Sequence, residues 1–364
     1  MKSCKRCLLT DDIIGVEITE KQCNFCDLHD SLEKESALVN VNDIVRDIKK
    51  KGKNHKYDCL IGVSGGFDSS YMLHLASKFG LRILAIHFDN GWNSEAAKTN
   101  MKRMVEKTGA DLISFSMNNN QLNKLNLAFL KAGVSDADIP NDMAMSKIFF
   151  DIAEKYKIKT IFNGHNYRYE GSVPIGWSYM DAKYIKSVAD YYNVDISSYP
   201  MLTFIDQIKY MIKGYKSVRF LYYVNHDKNE MKKMLADEYG WIDYGGNHAE
   251  NIYTEFIGSY LLPVKFSINK KIVYKSAEIR SNIINRHKGF DEVHTTAALQ
   301  FDTKKMKMIE KSLGVSLDDI LSYPINNRDK FDSYHSSFKK WRLLIWIGYK
   351  IGYFPKTFYE KYCK

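Results

Sequence analysis

The sequence predicts an α/β protein with a doubly wound parallel sheet, a small four-cysteine module before the sheet and a mainly helical region after it. Three observations support this prediction. Two Cys-x-x-Cys pairs stand near the start of the chain, short apolar runs alternate with helical patterns between residues 57 and 163, and helical patterning alone continues from about Asn225. We therefore divide the chain into residues 1–30, 31–225 and 226–364.

From the composition we expect a folded protein, and from its hydropathy a cytoplasmic one. Of 364 residues, 45% are hydrophobic and 26% are charged, which argues against extensive disorder and allows more than one module. No apolar run approaches the ~20 residues of a spanning helix, and the chain starts without a hydrophobic signal segment. The net charge of +10 favours an anionic partner, such as a nucleotide, a sugar nucleotide, RNA or a membrane surface. A solvated basic surface is the alternative.

The first module is predicted from its cysteine spacing. Cys4 and Cys7 form one Cys-x-x-Cys turn, Cys23 and Cys26 form another, and this arrangement is typical of a zinc ribbon. Four thiolates would close the coordination sphere of the ion, so we expect structural Zn²⁺ rather than a catalytic metal. An iron–sulfur cluster and unliganded thiols are the alternatives.

The start of the sheet carries the most informative motif. The apolar run from Tyr57 to Val63 is typical of a buried strand, and Ser-Gly-Gly-Phe-Asp-Ser follows it directly at residues 64–69, ahead of a helical pattern from Tyr71 to Lys78. Backbone N–H groups at such a helix start bind phosphate. Asp68 would repel phosphate unless a cation lies between them, so we interpret it as a Mg²⁺ ligand. An ordinary helix N-cap is the alternative interpretation.

Further alternation of strands and helices completes the predicted sheet. Strands are expected at Leu81–Phe88, Asp111–Ser116 and Lys159–Asn163, with helices from Ser94 to about Thr108 and from about Asp142 to Lys157. Ligands in such sheets bind at the carboxyl ends of the strands. His87 could instead be a satisfied polar group beside its strand. The predicted ATP-binding residues are Ser64, Gly65, Gly66, Asp68, Ser69, His87, Asp89, Gly164 and Asn166.

The motif at residues 64–69 resembles that of the PP-loop ATP pyrophosphatases, which have an adenine nucleotide alpha hydrolase-like fold and cleave ATP between its α and β phosphates. Many relatives have lysine where Phe67 stands, so another residue must supply that charge to the phosphates. No Gly-Lys-Ser/Thr follows the loop, which argues against transfer of the γ-phosphate.

Longer blocks resemble the N-acetyl sugar amidotransferase family, which is associated with bacterial surface polysaccharides such as the lipopolysaccharide O-antigen. These blocks are Lys131–Asp142, Glu170–Tyr179, Gly240–Thr254 and Leu262–Lys271. The resemblance implies conversion of a sugar N-acetyl group to an acetamidino group, with ATP, Mg²⁺ and ammonia from a separate glutaminase subunit. Family members tend to carry Asp where Asn269 stands, which leaves the acceptor sugar open.

The resemblance also implies site residues on the acceptor side. We expect catalytic roles for Asp68, Ser69, Asp138 and Lys270, and substrate binding by Asp136, Asp142, Trp177 and His248. Each acceptor-side residue could alternatively cap a loop or lie at the surface.

A tRNA thiolase is the main alternative function, because such enzymes use the same adenylation and then deliver sulfur. Lys209, Lys213, Lys216 and Arg219 would form one basic face of a helix, which suits RNA or merely a solvated flank. Outside the predicted ribbon only Cys59, in an apolar strand, and Cys363 remain to carry sulfur or serve as a glutaminase nucleophile. We therefore favour ammonia over sulfur and do not expect a nucleic acid partner. A nucleotide-binding module without chemistry is a third hypothesis.

The C-terminal segment from Phe338 to Lys364 mixes aromatic residues with six lysines and Arg342. This composition suits contact with an anionic membrane surface. Packing on its own domain or on a partner subunit is the alternative.

Overall fold

The computed structural model describes residues 1–246, 248–295, 301–326 and 333–363. Asn247, which belongs to one family block, and Lys364 of the C-terminal segment lie outside these ranges. Before the sheet, the four cysteines lie in a compact N-terminal unit that leads into helices α1 (Asn24–Ala37) and α2 (Val41–Gly52).

A five-stranded parallel sheet forms the centre of the molecule. Its strands are β1 (Cys59–Gly62), β2 (Ile83–Asp89), β3 (Asp111–Ser116), β4 (Thr160–Phe162) and β5 (Lys216–Val218), in the spatial order β3-β2-β1-β4-β5. The chain moves outward from β1 to β3 and then resumes on the other side of β1. The loops after β1 and β4 therefore lie side by side at the switch point, where sheets of this type bind ligands.

Helices cover the sheet as the alternation predicts. They are α3 (Phe67–Lys78), α4 (Glu95–Thr108), α5 (Asn119–Lys131), α6 (Ile139–Lys155), α7 (Ala182–Tyr191) and α8 (Phe204–Ile212). The bounds of α4 follow from its caps, because Ser94 Oγ accepts the Ala97 N–H at 3.2 Å and Gly109 adopts a φ of +68°. The four predicted strands and the predicted helices of this region are confirmed within a few residues.

The region after β5 is mainly helical, as predicted. A short 3₁₀ turn at Phe220–Tyr222 comes first, and a π-helical turn at Ile257–Leu261 joins two helices. The helices are α9 (Lys228–Tyr239), α10 (Ile252–Phe256), α11 (Leu262–Phe266), α12 (Lys271–Arg280), α13 (Arg286–His294), α14 (Thr303–Leu313), α15 (Leu317–Ser322), α16 (Phe338–Lys350) and α17 (Lys356–Cys363). Within the described ranges, none has the length and apolar character needed to cross a bilayer.

The prediction that Lys209, Lys213, Lys216 and Arg219 form one basic face of a helix is wrong. Helix α8 ends at Ile212, and Gly214, with a φ of +74°, turns the chain into β5 at Lys216. A glycine readily takes this left-handed conformation and so ends the helix. Lys209 and Lys213 both pair with Glu154, so they form a solvated helix flank.

One continuous hydrophobic core joins the three regions of the chain. It includes Leu9 beside the cysteines, Leu60 in β1 and Phe256 in α10, all fully buried. The N-terminal cysteine unit also contacts α12 and α13 through hydrogen bonds. Leu8 N–H donates to Ser276 Oγ of α12 at 3.1 Å, and Arg286 Nε of α13 donates to the Cys7 carbonyl at 3.2 Å. The helical region and the cysteine unit therefore support each other.

Candidate active site

A cleft of about 630 Å³ opens at the carboxyl ends of β1 and β4. The Ser-Gly-Gly turn forms its floor, and residues from α6 and from the start of the C-terminal helices form its walls. Its lining includes seven of the predicted site residues, namely Ser64, Gly66, Asp68, Ser69, Asp142, Gly164 and His248. The cleft is therefore shared by the sheet and the helical region.

The turn after β1 is held rigidly from behind. Gly65 has a φ of +79°, and a Cβ at this position would lie 2.0 Å from the Ala97 carbonyl oxygen, so only glycine fits. The Gly65 carbonyl accepts hydrogen bonds from Asn100 Nδ2 and Trp241 Nε1, both at 3.2 Å. These contacts fix the turn against α4 and the segment after α9.

Two hydroxyls face each other across this turn. Ser64 Oγ lies 3.3 Å from Ser69 Oγ, and it accepts the Gly66 N–H at 3.2 Å. Ser69 Oγ also donates to the Gly66 carbonyl at 3.1 Å. With the N-terminus of α3 behind them, these groups form a polar pocket that suits the phosphates of a nucleotide.

Three carboxylates converge beside the turn, those of Asp68, Glu170 and Glu250. Burial, opposed mainly by Lys228 and reinforced by Glu170, raises the pKa of Asp68 to about 7. Its Oδ1 is buried and has no hydrogen-bond partner in the described part of the chain. A carboxylate oxygen of this kind is a suitable ligand for a hard cation. These carboxylates thus fit a Mg²⁺ ion bound together with the phosphates, because the ion would neutralise the negative charge of both groups.

His248 stands between these carboxylates. Its Nε2 lies 3.9 Å from Glu170 Oε1 and its Nδ1 lies 4.0 Å from Glu250 Oε1. Glu250 also accepts the Tyr244 hydroxyl at 3.2 Å. Burial raises the pKa of Glu170, although the Asn166 N–H donates to its carboxylate at 2.9 Å.

Lys228 supplies a cation where the loop has none. This first residue of α9 lines the cleft, and its Nζ lies 5.3 Å from the centre of the Phe67 ring and 5.5 Å from the Tyr169 ring. It is also the strongest cationic influence on Asp68. Lys228 therefore holds its charge over the Phe67 side chain of the loop.

A second charged group lies farther from the ATP loop, at what we expect to be the acceptor end of the cleft. Asp138 precedes the first residue of α6 and Asp142 lies one turn later, while Lys270 reaches both from the start of α12. Burial raises the pKa of Asp138, and burial together with Asp138 raises that of Asp142 to about 7. Lys270 opposes both shifts. The structure thus places Asp142 and His248, which line the cleft, near Asp138 and Lys270, which do not line it.

Buried asparagines connect this group to the sheet. Asn90, which follows β2, donates through Nδ2 to Asn141 Oδ1 and accepts from Asn251 Nδ2, each at 3.0 Å. Asn141 in turn donates to Asp138 Oδ1 at 3.1 Å. The network orients Asp138 and ties the start of α10 to the edge of the cleft.

The loop after β4 forms the remaining wall. A Cβ on Gly164 would contact Met72 Cε at 3.4 Å and Asp68 Cβ at 3.5 Å, so this glycine lies directly against the ATP loop. Burial lowers the pKa of the neighbouring His165 to about 3, which keeps its imidazole neutral, and its Nδ1 lies 2.9 Å from the Tyr222 hydroxyl. A neutral ring and a bare backbone suit an adenosine.

Several predicted residues lie behind the cleft and do not line it. His87 is buried, with Nδ1 3.0 Å from the Val63 carbonyl, and Asp89 accepts the Gly91 N–H at 3.0 Å. The Asn166 side chain accepts the Arg168 N–H at 3.0 Å. Asp136 and Trp177 lie in the core beneath the acceptor end, where the Tyr184 hydroxyl donates to Asp136 at 3.0 Å. Ligand contacts by these residues remain predictions.

Sequence reasoning did not identify several cleft residues, namely His165, Lys228, Glu250 and Asn251. Glu250 and Asn251 lie inside a family block, and His165 follows a strand end. Their positions in the sequence could therefore have indicated that these three residues belong to the site. Lys228 had no such signal, because it stands far along the chain from the loop that it contacts.

The four cysteines form a compact tetrahedral group. All are fully buried, and their Sγ atoms lie within 4.8 Å of one another. The distances are 3.8 Å from Cys4 to Cys26, 3.7 Å from Cys7 to Cys23 and 3.6 Å from Cys23 to Cys26. Tetrahedral coordination with Zn–S bonds of about 2.3 Å places the four sulfurs about 3.8 Å apart. The group therefore fits a single metal ion.

Three solved structures show distant similarity, each at 14% identity. NMN synthetase from Francisella tularensis has a TM-score of 0.28 and covers 57% of this chain and 99% of its own. The NH3-dependent NAD synthetase from Campylobacter jejuni subsp. jejuni NCTC 11168 has a TM-score of 0.29, covering 57% and 97%. The U34-tRNA thiolase NcsA from Methanococcus maripaludis has a TM-score of 0.35, covering 90% and 98%. A comparison with curated proteins gives no match.

Two protein families match separate parts of the chain. Residues 58–200, which contain the ATP loop, match queuosine biosynthesis protein QueC. Residues 250–347 match the C-terminal domain of LPS biosynthesis protein WbpG-like proteins. The parallel sheet, the N-terminal cysteine cluster and the helical C-terminal region agree with the fold class predicted from the sequence. Together, the two matches support a PP-loop ATP pyrophosphatase family involved in polysaccharide biosynthesis.

Proposed function

We propose that the protein is an ATP-dependent amidotransferase that converts the acetamido group of an N-acetylated sugar, carried on a nucleotide, to an acetamidino group. One observation carries this proposal. The cleft that contains the ATP loop is also lined by Glu250, Asn251 and Thr254, at the start of the region that matches WbpG-like proteins. An acceptor bound by that region would lie beside the phosphates of ATP.

The reaction has two steps, and neither needs a side-chain nucleophile. The acetamido oxygen attacks the α-phosphorus of ATP, the bond to the β-phosphate oxygen breaks, and pyrophosphate leaves. Ammonia then adds to the imidate carbon, and the C–O bond breaks with AMP as leaving group, so that the acetamido oxygen departs with AMP. Of the four hydrogens that the amide N–H and ammonia bring, the amidinium product keeps three, and the fourth leaves as a proton to a base. Positioning and charge stabilisation provide the rate.

Residues at the phosphate end would bind the triphosphate and stabilise the leaving pyrophosphate. The Gly66 turn and the Ser64 and Ser69 hydroxyls offer donors, while Lys228 offers a positive charge. Asp68 would hold Mg²⁺, which supplies additional positive charge to the phosphates when bound.

Residues at the acceptor end would orient the acetamido group and handle protons. Asp142, with a pKa raised to about 7 through burial and Asp138, can accept a proton as ammonia adds. Lys270 can stabilise the negative charge of the departing AMP. Asp138, held by Asn141, would keep Lys270 and the acceptor in place.

The positions of the cysteines favour ammonia over sulfur. No cysteine lines the described part of the cleft. Cys59 is fully buried in β1, where burial raises the pKa of its thiol, and Cys363 Sγ donates to the Arg342 carbonyl at 3.3 Å. A persulfide carrier needs an accessible thiolate of low pKa. We also infer a separate glutaminase as the ammonia source and structural Zn²⁺ at the four N-terminal cysteines.

The test is incubation with ATP, Mg²⁺, ammonium and a panel of nucleotide-linked acetamido sugars, with unmodified tRNA and a sulfide source in parallel. We expect AMP and pyrophosphate to appear only with an acceptor, and the sugar to lose about one mass unit as oxygen is replaced by NH. A gain of about sixteen mass units on the RNA would instead assign a thiolase. Formation of ADP would contradict both.

A further inference from the structure

Helix α16 presents an unusual exposed face. Four large apolar side chains on it or at its C-terminal end are open to solvent, with exposed fractions of 61% for Leu343, 48% for Trp346, 41% for Ile347 and 66% for Ile351, the residue that follows the helix. Trp346 and Ile347 follow Leu343 by three and four residues, and Ile351 follows Ile347 by four, so all four lie along one side of the helix. The opposite side, with Leu344, Ile345 and Gly348, is buried against the protein. The apolar residues outside are therefore not part of the core.

Basic residues are interleaved with these apolar ones. Lys339, Lys340 and Lys350 are exposed, and at 100° per residue they fall within the same half of the helix surface as Trp346 and Leu343. No carboxylate pairs with these three lysines within the described ranges, and residues 338–351 contain no acidic side chain. The face is thus both apolar and uniformly positive.

The rest of the C-terminal segment holds this helix firmly. Helix α17 packs back on the protein, where Lys356 pairs with Glu35 at 3.0 Å and Arg219 hydrogen-bonds to Thr357. Near its two ends, α16 is tied to α8 and β5. The Trp341 ring lies 5.5 Å from that of Phe204 in α8, and Lys216 Nζ of β5 donates to the carbonyl of Gly352, just after α16, at 2.6 Å. The exposed face therefore belongs to a fixed helix rather than to a loose tail.

We propose that this face of α16 docks on an anionic lipid surface. Lysine stems can lie along the acyl boundary while their ammonium groups reach lipid phosphates, and tryptophan favours the same depth. The centre of a protein–protein interface is instead depleted in lysine, which makes this mixture a poor match for a protein partner. The absence of acidic residues removes the repulsion that an anionic headgroup would meet.

The geometry gives this contact a connection to the cleft. Lys361 on α17 lies close enough to Asp142 to influence its pKa, so the helix pair that carries the docking face also reaches the acceptor end. Docking would hold the acceptor end near the membrane surface. The proposal stands on the helix face alone and is independent of the proposed reaction.

The experiment is co-sedimentation of the full chain with vesicles of phosphatidylglycerol and phosphatidylethanolamine, and with vesicles of phosphatidylcholine alone. We expect binding to the anionic vesicles only, weakening as salt is raised. Replacing Lys339, Lys340 and Lys350 together by glutamine should lower the binding constant about fivefold per lysine, since each basic residue near such a surface has a comparable effect. Trp346 emission should shift to the blue on binding, and Trp346→Phe should remove that shift.

The matched control replaces three exposed lysines of α14, Lys304, Lys307 and Lys311, by glutamine, which changes the net charge equally. We expect this control to bind vesicles nearly as well as the unaltered protein. An equal loss of binding in both triple variants would overturn the proposal, because net charge alone would then explain the attraction. Absence of vesicle binding, with a dimer in solution that Leu343→Ser dissociates, would assign the face to a second copy of the chain and also overturn it.

Discussion

The two ends of the cleft are built alike. At the phosphate end, Asp68 follows β1, and Lys228 reaches it from the start of α9. At the acceptor end, Asp138 and Asp142 lie at the start of α6, and Lys270 reaches them from the start of α12. Both ends pair carboxylates of raised pKa with a lysine from a distant helix. They differ in origin, because Asp68 belongs to a contiguous motif, whereas the acceptor end has no local signature and is assembled by folding.

Both lysines stand where a helix disfavours them. Lys228 is the first residue of α9, and Lys270 directly precedes α12. A cation at a helix N-terminus costs about 0.3–1 kcal/mol through the helix dipole. Nearby carboxylates offset this cost at both ends of the cleft. The presence of lysine at these two positions therefore reflects the charges of the cleft and not the preferences of the helices. We infer that one lysine serves ATP and the other serves the acceptor.

The largest effect is expected at Asp68. Asp68→Asn removes the charge that would hold Mg²⁺ beside the phosphates, and we expect acceptor-dependent pyrophosphate release to fall about 10²- to 10³-fold. Asp190→Asn, an exposed residue paired with Lys186, is the control and should retain activity. Full activity of Asp68→Asn across a Mg²⁺ titration would show that the phosphate end does not depend on this carboxylate.

Replacing each of the two lysines by methionine tests whether the two ends of the cleft have separate roles. Lys228→Met should weaken ATP binding about 10-fold or more, while Lys270→Met should lower the turnover with saturating acceptor by a similar factor and leave ATP binding intact. Equilibrium binding of ATP and steady-state kinetics separate the two effects. The neighbours Lys233→Met and Lys271→Met are matched exposed controls. If both active-site variants altered the same parameter, the division of the cleft into two ends would be wrong.

Metal removal should affect the two ends unequally. The cysteine unit contacts α12 through Leu8, whose N–H donates to Ser276 Oγ, and α12 begins directly after Lys270. We expect chelation, or Cys23→Ser, to release one bound zinc and to reduce turnover with acceptor more strongly than ATP binding. Zinc content by mass spectrometry and ATP binding by calorimetry provide the readouts. Equal losses at both ends would indicate general unfolding instead.

The smallest effect is expected in the dependence of folding stability on pH. Burial raises the pKa of Asp142 to about 7 from an unfolded value of about 3.9, so folding favours its protonated form. Its contribution to stability is present below about pH 4 and is lost as pH rises through 7. Because the cleft is open to solvent, we expect a difference of only about 1–2 kcal/mol between pH 5 and pH 8.

Urea unfolding of the protein without nucleotide at these two pH values measures the difference. Asp142→Asn should reduce it, because an asparagine does not titrate. Asp190→Asn should leave it unchanged, since that carboxylate is exposed. An undiminished pH dependence in Asp142→Asn would assign the titration to another group, such as Asp68 or Asp138.

The sequence by itself determined the sheet strands β1 to β4, the ATP loop and the cysteine cluster. In each case the determinants are adjacent in the chain: an apolar run, a glycine turn or a Cys-x-x-Cys pair specifies its own local geometry. The fifth strand escaped prediction because β5 has only three residues and its polar pattern, Lys-Ser-Val, continued the basic spacing of α8. Its identity depends on pairing with β4.

Only the tertiary structure decided which charges meet. Lys228 over Phe67, Lys270 beside Asp138 and Asp142, and Glu250 against the ATP loop all join segments that are far apart along the chain. Electrostatic interactions depend on distance and burial rather than on sequence separation, so no local pattern contains them. The same reason applies to Asp136 and Asp138, which look alike in the sequence. Asp136 lies in the core, where it accepts the Tyr184 hydroxyl, whereas Asp138 directly precedes α6 and accepts from Asn141.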